Sequence, residues 1–303
     1  MGAENFRHTI TIMVVTFAVV MAALAAGGQT DKRDMQSAWT QAEDVFGVTG
    51  DYHADGTATF DVPRKLTVTM NGVRLASGSD RAHEIRMMSV GDKAIAVGEL
   101  VLTAEEIGGV TKKLLDAGIS ETALHNHLLH LSPGVMYLHF HAFGDPVDIT
   151  TAINDVITPL GKSPESEFDN ESLDTAKLDR IMGAEGRAGG GVYGYTVPRA
   201  GNVTVDGMTL SPHMDISTEI TFQPLGDGKA LAIGEFVLEA REVTPVIGEL
   251  TEKGFEIDAL HSHMLTEEPR LFYLHAWATG DAEQLASGLR LALEKTDSLT
   301  GPR

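Results

Sequence analysis

Histidines two residues apart are the side chains in this chain with the most chemistry to offer. His125 and His127 form one such pair, His139 and His141 another, and Pro133-Gly134 lies midway between them. Residues two apart in a strand point to the same face, and Pro-Gly is a turn signal. A hairpin folded about Pro133 sets His125 opposite His141 and His127 opposite His139, with Cβ atoms about 4.5–5.5 Å apart. Four imidazoles in one patch could share a divalent transition metal, zinc or copper being suited to neutral imidazole. The expectation is sensitive to register, because a one-residue bulge turns one pair to the other face.

The stretch recurs. Ala259 to Asp281 carries His261 and His263 before Pro269 and His275 after it, with Trp277 where the first copy has His141. Three protein ligands with an open position is the pattern of catalytic zinc. A structural remnant packed on Trp277 fits the same residues. Glu99 and Glu235 each follow a glycine inside an apolar run. A carboxylate in a central strand is costly unless paired. The two are therefore candidate metal ligands or partners of a ligating histidine, and candidate general bases if the site is catalytic. The competing readings are a solvent-facing strand edge for the glutamates and a metal-free ladder of hydrogen-bonded imidazoles for the histidines. His130 falls on the other strand face, opposite in the repeat to Thr266. Tyr137 and Tyr273 read as core or rim residues.

Positioning these side chains requires a duplicated fold. Val62-Pro63-Arg64 recurs as Val197-Pro198-Arg199, LTVTMNGVRL from Leu66 as VTVDGMTL from Val203, and KAIAVGELVL from Lys93 as KALAIGEFVL from Lys229. The repeat implies two tandem homologous domains, over 34–160 and 173–297, joined by a polar linker at 161–172. Each begins with an amphipathic helix, near Asp34 to Phe46 and Leu173 to Met182. Asn71-Gly72 and Asp206-Gly207 are two-residue hairpin turns. Ile85 to Val90 and Glu219 to Phe222 read as strands, and Ala94 to Leu102 and Ala230 to Leu238 as central strands. Helical spacing follows at Glu105 to Asp116 and Arg241 to Lys253, stopped by Gly118 and Gly254. The histidine hairpin and a last helix, Pro146 to Thr158 or Ala282 to Lys295, complete each copy. This order predicts an α+β class: a mainly antiparallel sheet with helices packed on one face.

The 303 residues suffice for two ordinary domains, and 43 % apolar with 22 % charged residues is a globular profile. The formal net charge of -20 comes without a basic patch, which argues against nucleic acid as a partner. With no cysteine, disulfides, thiolate ligands and cysteine nucleophiles are excluded, so any transition-metal site uses imidazole and carboxylate. Arg7, the apolar run from Ile10 to Ala26 and the small residues Ala23 to Ala26 read as a signal peptide over 1–26. An uncleaved single-span anchor is the alternative. Cleavage would leave a protein without stable membrane insertion, periplasmic or secreted, with no lipobox cysteine for a lipid anchor.

The runs ALHNHLL, Pro133 and YLHFHAFGD, with ALHSHML, Pro269 and YLHAWATGD in the second copy, resemble the LppY/LpqO family of exported proteins. So do VTVDG at Val203 and the GEL and GEF triplets at Gly98 and Gly234. The resemblance covers nearly all of the mature chain. It implies an extracytoplasmic α+β protein and supplies no activity. Three function classes follow from the residues: an extracytoplasmic metal-binding protein, a metal-dependent hydrolase with a His-ligated zinc-type site, and a metal-free binding or structural module. A metal ion or small molecule is the expected partner. Nothing in the sequence names the oligomeric state.

Overall fold

A computed structural model describes residues 32–164, 166–167 and 172–300. The signal segment expected at 1–26 lies outside the described residues. No described helix is long and apolar enough to cross a membrane.

Two six-stranded antiparallel sheets dominate. The first runs Asp51–Tyr52, Thr57–Pro63, Ala82–Val90, Lys93–Leu102, Met136–Gly144, Ser120–His125. The second runs Arg187–Gly189, Val192–Pro198, Ser217–Gly226, Lys229–Leu238, Phe272–Asp281, Glu256–His261. The strand order is the same position by position, as duplication requires. Each half adds a three-stranded sheet built on the predicted hairpin turn. Asn71 and Gly72 have φ of 48° and 85°, and Asp206 and Gly207 have 51° and 80°. Two successive positive φ values define the turn that matches strand twist, which is why Asn-Gly and Asp-Gly stand there.

Alternation along the central strands separates two kinds of core. In Lys93–Leu102, Ala94, Ala96, Leu100 and Leu102 join the helix-side core of the first half, with Leu114, Phe140 and Ile153. Phe236, Leu250, Leu274 and Leu289 do the same in the second half. The opposite faces do not meet solvent. Ile95 and Val97 pack with Val205, Met214 and Tyr273, and Leu231 and Ile233 pack with Val68, Met70 and Tyr137. Both of these cores draw on both halves, so the helix-free sheet faces close on each other. At about 1.5–3 kcal/mol per buried large side chain, Ile95, Val97, Leu231, Ile233 and the two tyrosines contribute on the order of 10 kcal/mol to that closure.

The histidine hairpin forms, but not in the expected register. His125 pairs with Tyr137, Ala123 with His139 and Ser120 with His141, with an irregularity between Glu121 and Ala123. The strands do not turn tightly about Pro133. Residues 126–135 leave the sheet, and Leu131–Ser132 pairs instead with Thr69–Met70. His127 is therefore in the connection, not in a strand. The second copy repeats the arrangement, with His261 opposite Tyr273 and Ala259 opposite His275.

Candidate metal centre

Register across each sheet builds one side of the site. Glu84 faces Glu99, which faces His139; in the second half Glu219 faces Glu235, which faces His275. Directly paired residues share a face, so each helix-free face carries a row of two carboxylates and an imidazole. Closing the two faces brings the rows together. Glu99 and Glu235 are thus inside the molecule, with their side chains 13 % and 18 % exposed, and not at a solvent-facing strand edge.

Six histidines meet between the halves in an approximately two-fold arrangement. His125 stacks on His261 with centroids 3.5 Å apart, His127 on His275 at 3.8 Å and His139 on His263 at 3.6 Å. Each of these three stacks joins one half to the other. The spacing predicts one site of four histidines and a second of three; among the described residues the six meet in one cluster, and it draws on both copies. Two groups of four place a ligand atom from each residue within 4.8 Å of the others: His125, His127, His139 and His263, and His127, His261, His263 and His275. The approximate two-fold axis exchanges these groups, which share His127 and His263. His261 Nε2 and His263 Nε2 lie 3.0 Å apart. Two nitrogens on one tetrahedral zinc with bonds of about 2.0–2.1 Å would be roughly 3.3 Å apart.

Tyrosines hold the shared rings. His127 lies flat on Tyr137 at 3.6 Å, and His263 on Tyr273 at 3.5 Å. Each phenol donates a hydrogen bond to a backbone carbonyl, Tyr137 to Asp80 at 2.7 Å and Tyr273 to Asp215 at 2.6 Å. Both tyrosines are fully buried and position the His127 and His263 rings from behind, a more specific role than core or rim. The aspartates at those carbonyls face the same rings. Asp215 Oδ2 is 2.9 Å from His263 Nδ1, and Asp80 Oδ2 is 3.5 Å from His127 Nδ1. Glu99 Oε2 lies 3.3 Å from both His127 Nε2 and His139 Nε2, and Glu235 Oε2 lies 3.1 Å from His275 Nε2. Asp215, Glu235 and His263 form a third group of ligand atoms within the same reach.

Burial sets the protonation pattern. It pulls His125, His127, His261, His263 and His275 below the ordinary imidazole value, and neighbouring imidazoles add to the effect. These five rings are neutral at pH 7, the form that binds a metal. For His139 burial acts downward as well, but hydrogen bonds and charge from Asp215 and Glu99 hold its pKa up to about 9. Burial and the nearby Glu99 and Glu219 push Asp80 up to about 8. Burial raises Glu99, and burial with Asp215 and Glu99 nearby raises Glu235. The buried nitrogens of His127 and His275 make no hydrogen bond, despite the carboxylates within 3.5 Å, and that is costly in a closed interior. A cation would satisfy them, so the donor set fits a transition-metal ion.

His141 stands outside both four-histidine groups. The register shift carries it along the strand, into a smaller cavity of about 140 Å³ with Val205, Asp206 and Thr266. Its counterpart Trp277 packs into an apolar cluster with Leu231 and Ile233. His130 bridges the halves elsewhere, 2.8 Å from Glu256. Asp80 and Asp215 escaped the sequence reading. The recurring pattern Asp80-x-x-x-Glu84-Ile85 and Asp215-x-x-x-Glu219-Ile220 was the available signal.

A polar cavity of about 680 Å³ reaches the carboxylates beside the cluster, with Asp80, Glu99, Asp215 and Glu235 in its lining. It also contains Glu84 and Glu219, which Arg86 bridges at 2.7 and 2.5 Å. The second copy has Thr221 in place of Arg86, so one guanidinium is shared by two carboxylates.

The family model described as Domain of Unknown Function (DUF1259) matches residues 40–158 and again 176–295. No curated protein matches the chain, and no solved structure does.

Proposed function

The chain belongs to the DUF1259 family as a tandem pair, and we propose that the pair binds a single transition-metal ion at the centre between its halves. The carrying observation is that the two four-histidine groups each draw on both copies and share His127 and His263. Sharing two rings makes the groups alternatives, so one ion per chain is expected instead of one per domain. Imidazole with carboxylate support suits zinc, copper, nickel or iron. Elemental analysis of purified protein, with titration of the stripped form, tests the reading. About one tightly held ion per chain is the expected result. Failure to retain or take up any of these ions would leave the metal-free module.

The same proposal places the protein outside the cytoplasm, as an exported member of the LppY/LpqO type. The support is the apolar run from Ile10 to Ala26 and its small-residue end. Mass spectrometry of the extracytoplasmic protein should find a chain beginning near Ala26. An intact mass retaining Met1 to Leu24 would indicate an anchored protein instead.

A metal-dependent hydrolase is a second reading, favoured by the cavity that meets Glu99 and Glu235. A metal there would activate water, with a raised-pKa glutamate as the base. Turnover across an ester and phosphoester panel separates this from storage, sensing or delivery.

A further inference from the structure

The two-fold arrangement is broken where each histidine connection meets the end strand of the other half. On one side the first copy's connection is fastened to the second copy's strand Glu256–His261. The Leu129 N–H donates to Asp258 Oδ2 at 2.6 Å, and His130 Nε2 lies 2.8 Å from Glu256 Oε1. The Trp277 indole fills the interior there, only 8 % exposed and in one apolar cluster with Leu128, Leu231 and Ile233. On the other side Thr266 and Ser120 stand in place of His130 and Glu256, Thr122 in place of Asp258, and His141 in place of Trp277. The bridge therefore has no counterpart, and an imidazole stands where the larger indole would be.

What this side holds is the cavity of about 140 Å³, with Ser120, Thr122, His141 and Thr266 in its lining. Ser120 and Thr266 are exposed and mark its mouth, and the buried His139, Asp215 and His263 form its inner end. His139 and His263 belong to one four-histidine group, so the cavity ends on the candidate metal centre. Asp215 lines the large polar cavity as well, and the centre is thus approached from two directions.

The lining limits what the small cavity can take. Its volume is close to the roughly 150 Å³ of a cavity that holds benzene, which allows about six non-hydrogen atoms. Val97, Val205 and Met264 give it apolar walls, which disfavour an ion that must shed its water. Asp206 and Asp215 in the same lining repel an anion. His141 Nε2 is buried with no hydrogen-bond partner, so it can bond a polar atom of an occupant.

We propose that this cavity binds a small uncharged organic molecule, held against the metal centre at His139 and His263 and hydrogen-bonded by His141. The proposal rests on the metal-binding reading of the centre and names the class of second ligand that the centre meets. Trp277 and the His130–Glu256 bridge close the corresponding approach in the other half, so one such molecule binds per chain.

Pyrazole is the probe, a small ring that is uncharged at neutral pH and carries one donor nitrogen and one N–H. The full chain loaded with cobalt(II) should show a saturable change in its visible spectrum as pyrazole is added. His141→Trp puts the residue of the second copy into the cavity. Ser120→Glu with Thr266→His rebuilds at the exposed mouth the bridge that closes the other side, so this arm remains readable if His141→Trp fails to fold. Each variant should weaken pyrazole binding by at least about tenfold, while cobalt affinity changes by less than about threefold. Acetate, similar in size but anionic, should bind the native chain at least about tenfold more weakly than pyrazole. No saturable response in the cobalt-loaded native chain, or a native response in the folded variants, overturns the proposal. Acetate binding as tightly as pyrazole overturns the uncharged class of occupant. A native chain that takes up no cobalt is a separate outcome and removes the metal reading. Titration calorimetry of the metal-free chain with pyrazole then decides the cavity alone: binding lost in the closing variants supports it, and no binding overturns it.

Discussion

Replacing His127 and His263 together by alanine should lower transition-metal affinity by at least about 100-fold, the largest effect expected of any pair in the chain. These are the two rings common to both four-histidine groups, so no intact group remains. Both are fully buried against tyrosines, and deleting them costs stability, about 2–3 kcal/mol each. His127→Gln with His263→Gln keeps most of the volume and should lose the metal with less loss of stability. His141→Ala is the matched control. It removes a histidine from the strand that carries His139 but from neither group, and affinity should change by less than about threefold. Titration calorimetry beside circular dichroism reads both effects. Native affinity in the folded double variant would discard the shared centre, and a large loss from His141→Ala would restore the tight hairpin about Pro133.

That contrast shows where sequence reasoning reached and where it stopped. Duplication, the α+β class and the positive-φ turns were legible because each is local or repetitive. Asn71-Gly72 specifies its turn within two residues. Glu99 and His139 lie on one face in the observed register and in any register an even number of residues away from it. The register was not legible. Leu131–Ser132 finds its partner in Thr69–Met70, far back in the chain, and that pairing opens the turn. The meeting of the helix-free faces was also hidden. Ile95 and Val97 read as ordinary core residues, and only the fold puts Val205 and Tyr273 against them. One histidine cluster in place of two follows from that closure. Asp80 and Asp215 sit at positive φ outside the strands, where periodicity gives no sign that a side chain points inward.

Metal affinity should rise at least about tenfold per pH unit between roughly pH 7 and 9, more steeply where Asp80 also loses its proton, and level off above, because His139 must give up its proton to bind. In the metal-free protein Asp215 and Glu99 outweigh burial and hold His139 at about 9, so at pH 7 it is an imidazolium. Asp80, pushed up to about 8, is also protonated, and a cation nearby drives that proton off. Loading at pH 7 should therefore release roughly one to two protons per ion, measurable by calorimetry in buffers of different ionisation enthalpy. The same shift has a consequence for stability. The folded pKa of His139 lies above its ordinary value of 6.5, so its stabilisation is complete below about pH 6.5 and is lost as pH rises through about 9. For this group, the melting temperature of the metal-free chain should fall from pH 7 to 9, while the loaded chain does not lose this contribution. Asp215→Asn removes one of the two carboxylates holding the proton on His139, which lie at 3.6 Å for Asp215 and 3.3 Å for Glu99. Burial then pulls the imidazole down, and both the proton release and the slope of affinity with pH should shrink. A native slope in that variant, or a flat profile in the native chain, would mean that His139 is not a ligand and that the ion sits in the group of His127, His261, His263 and His275 alone.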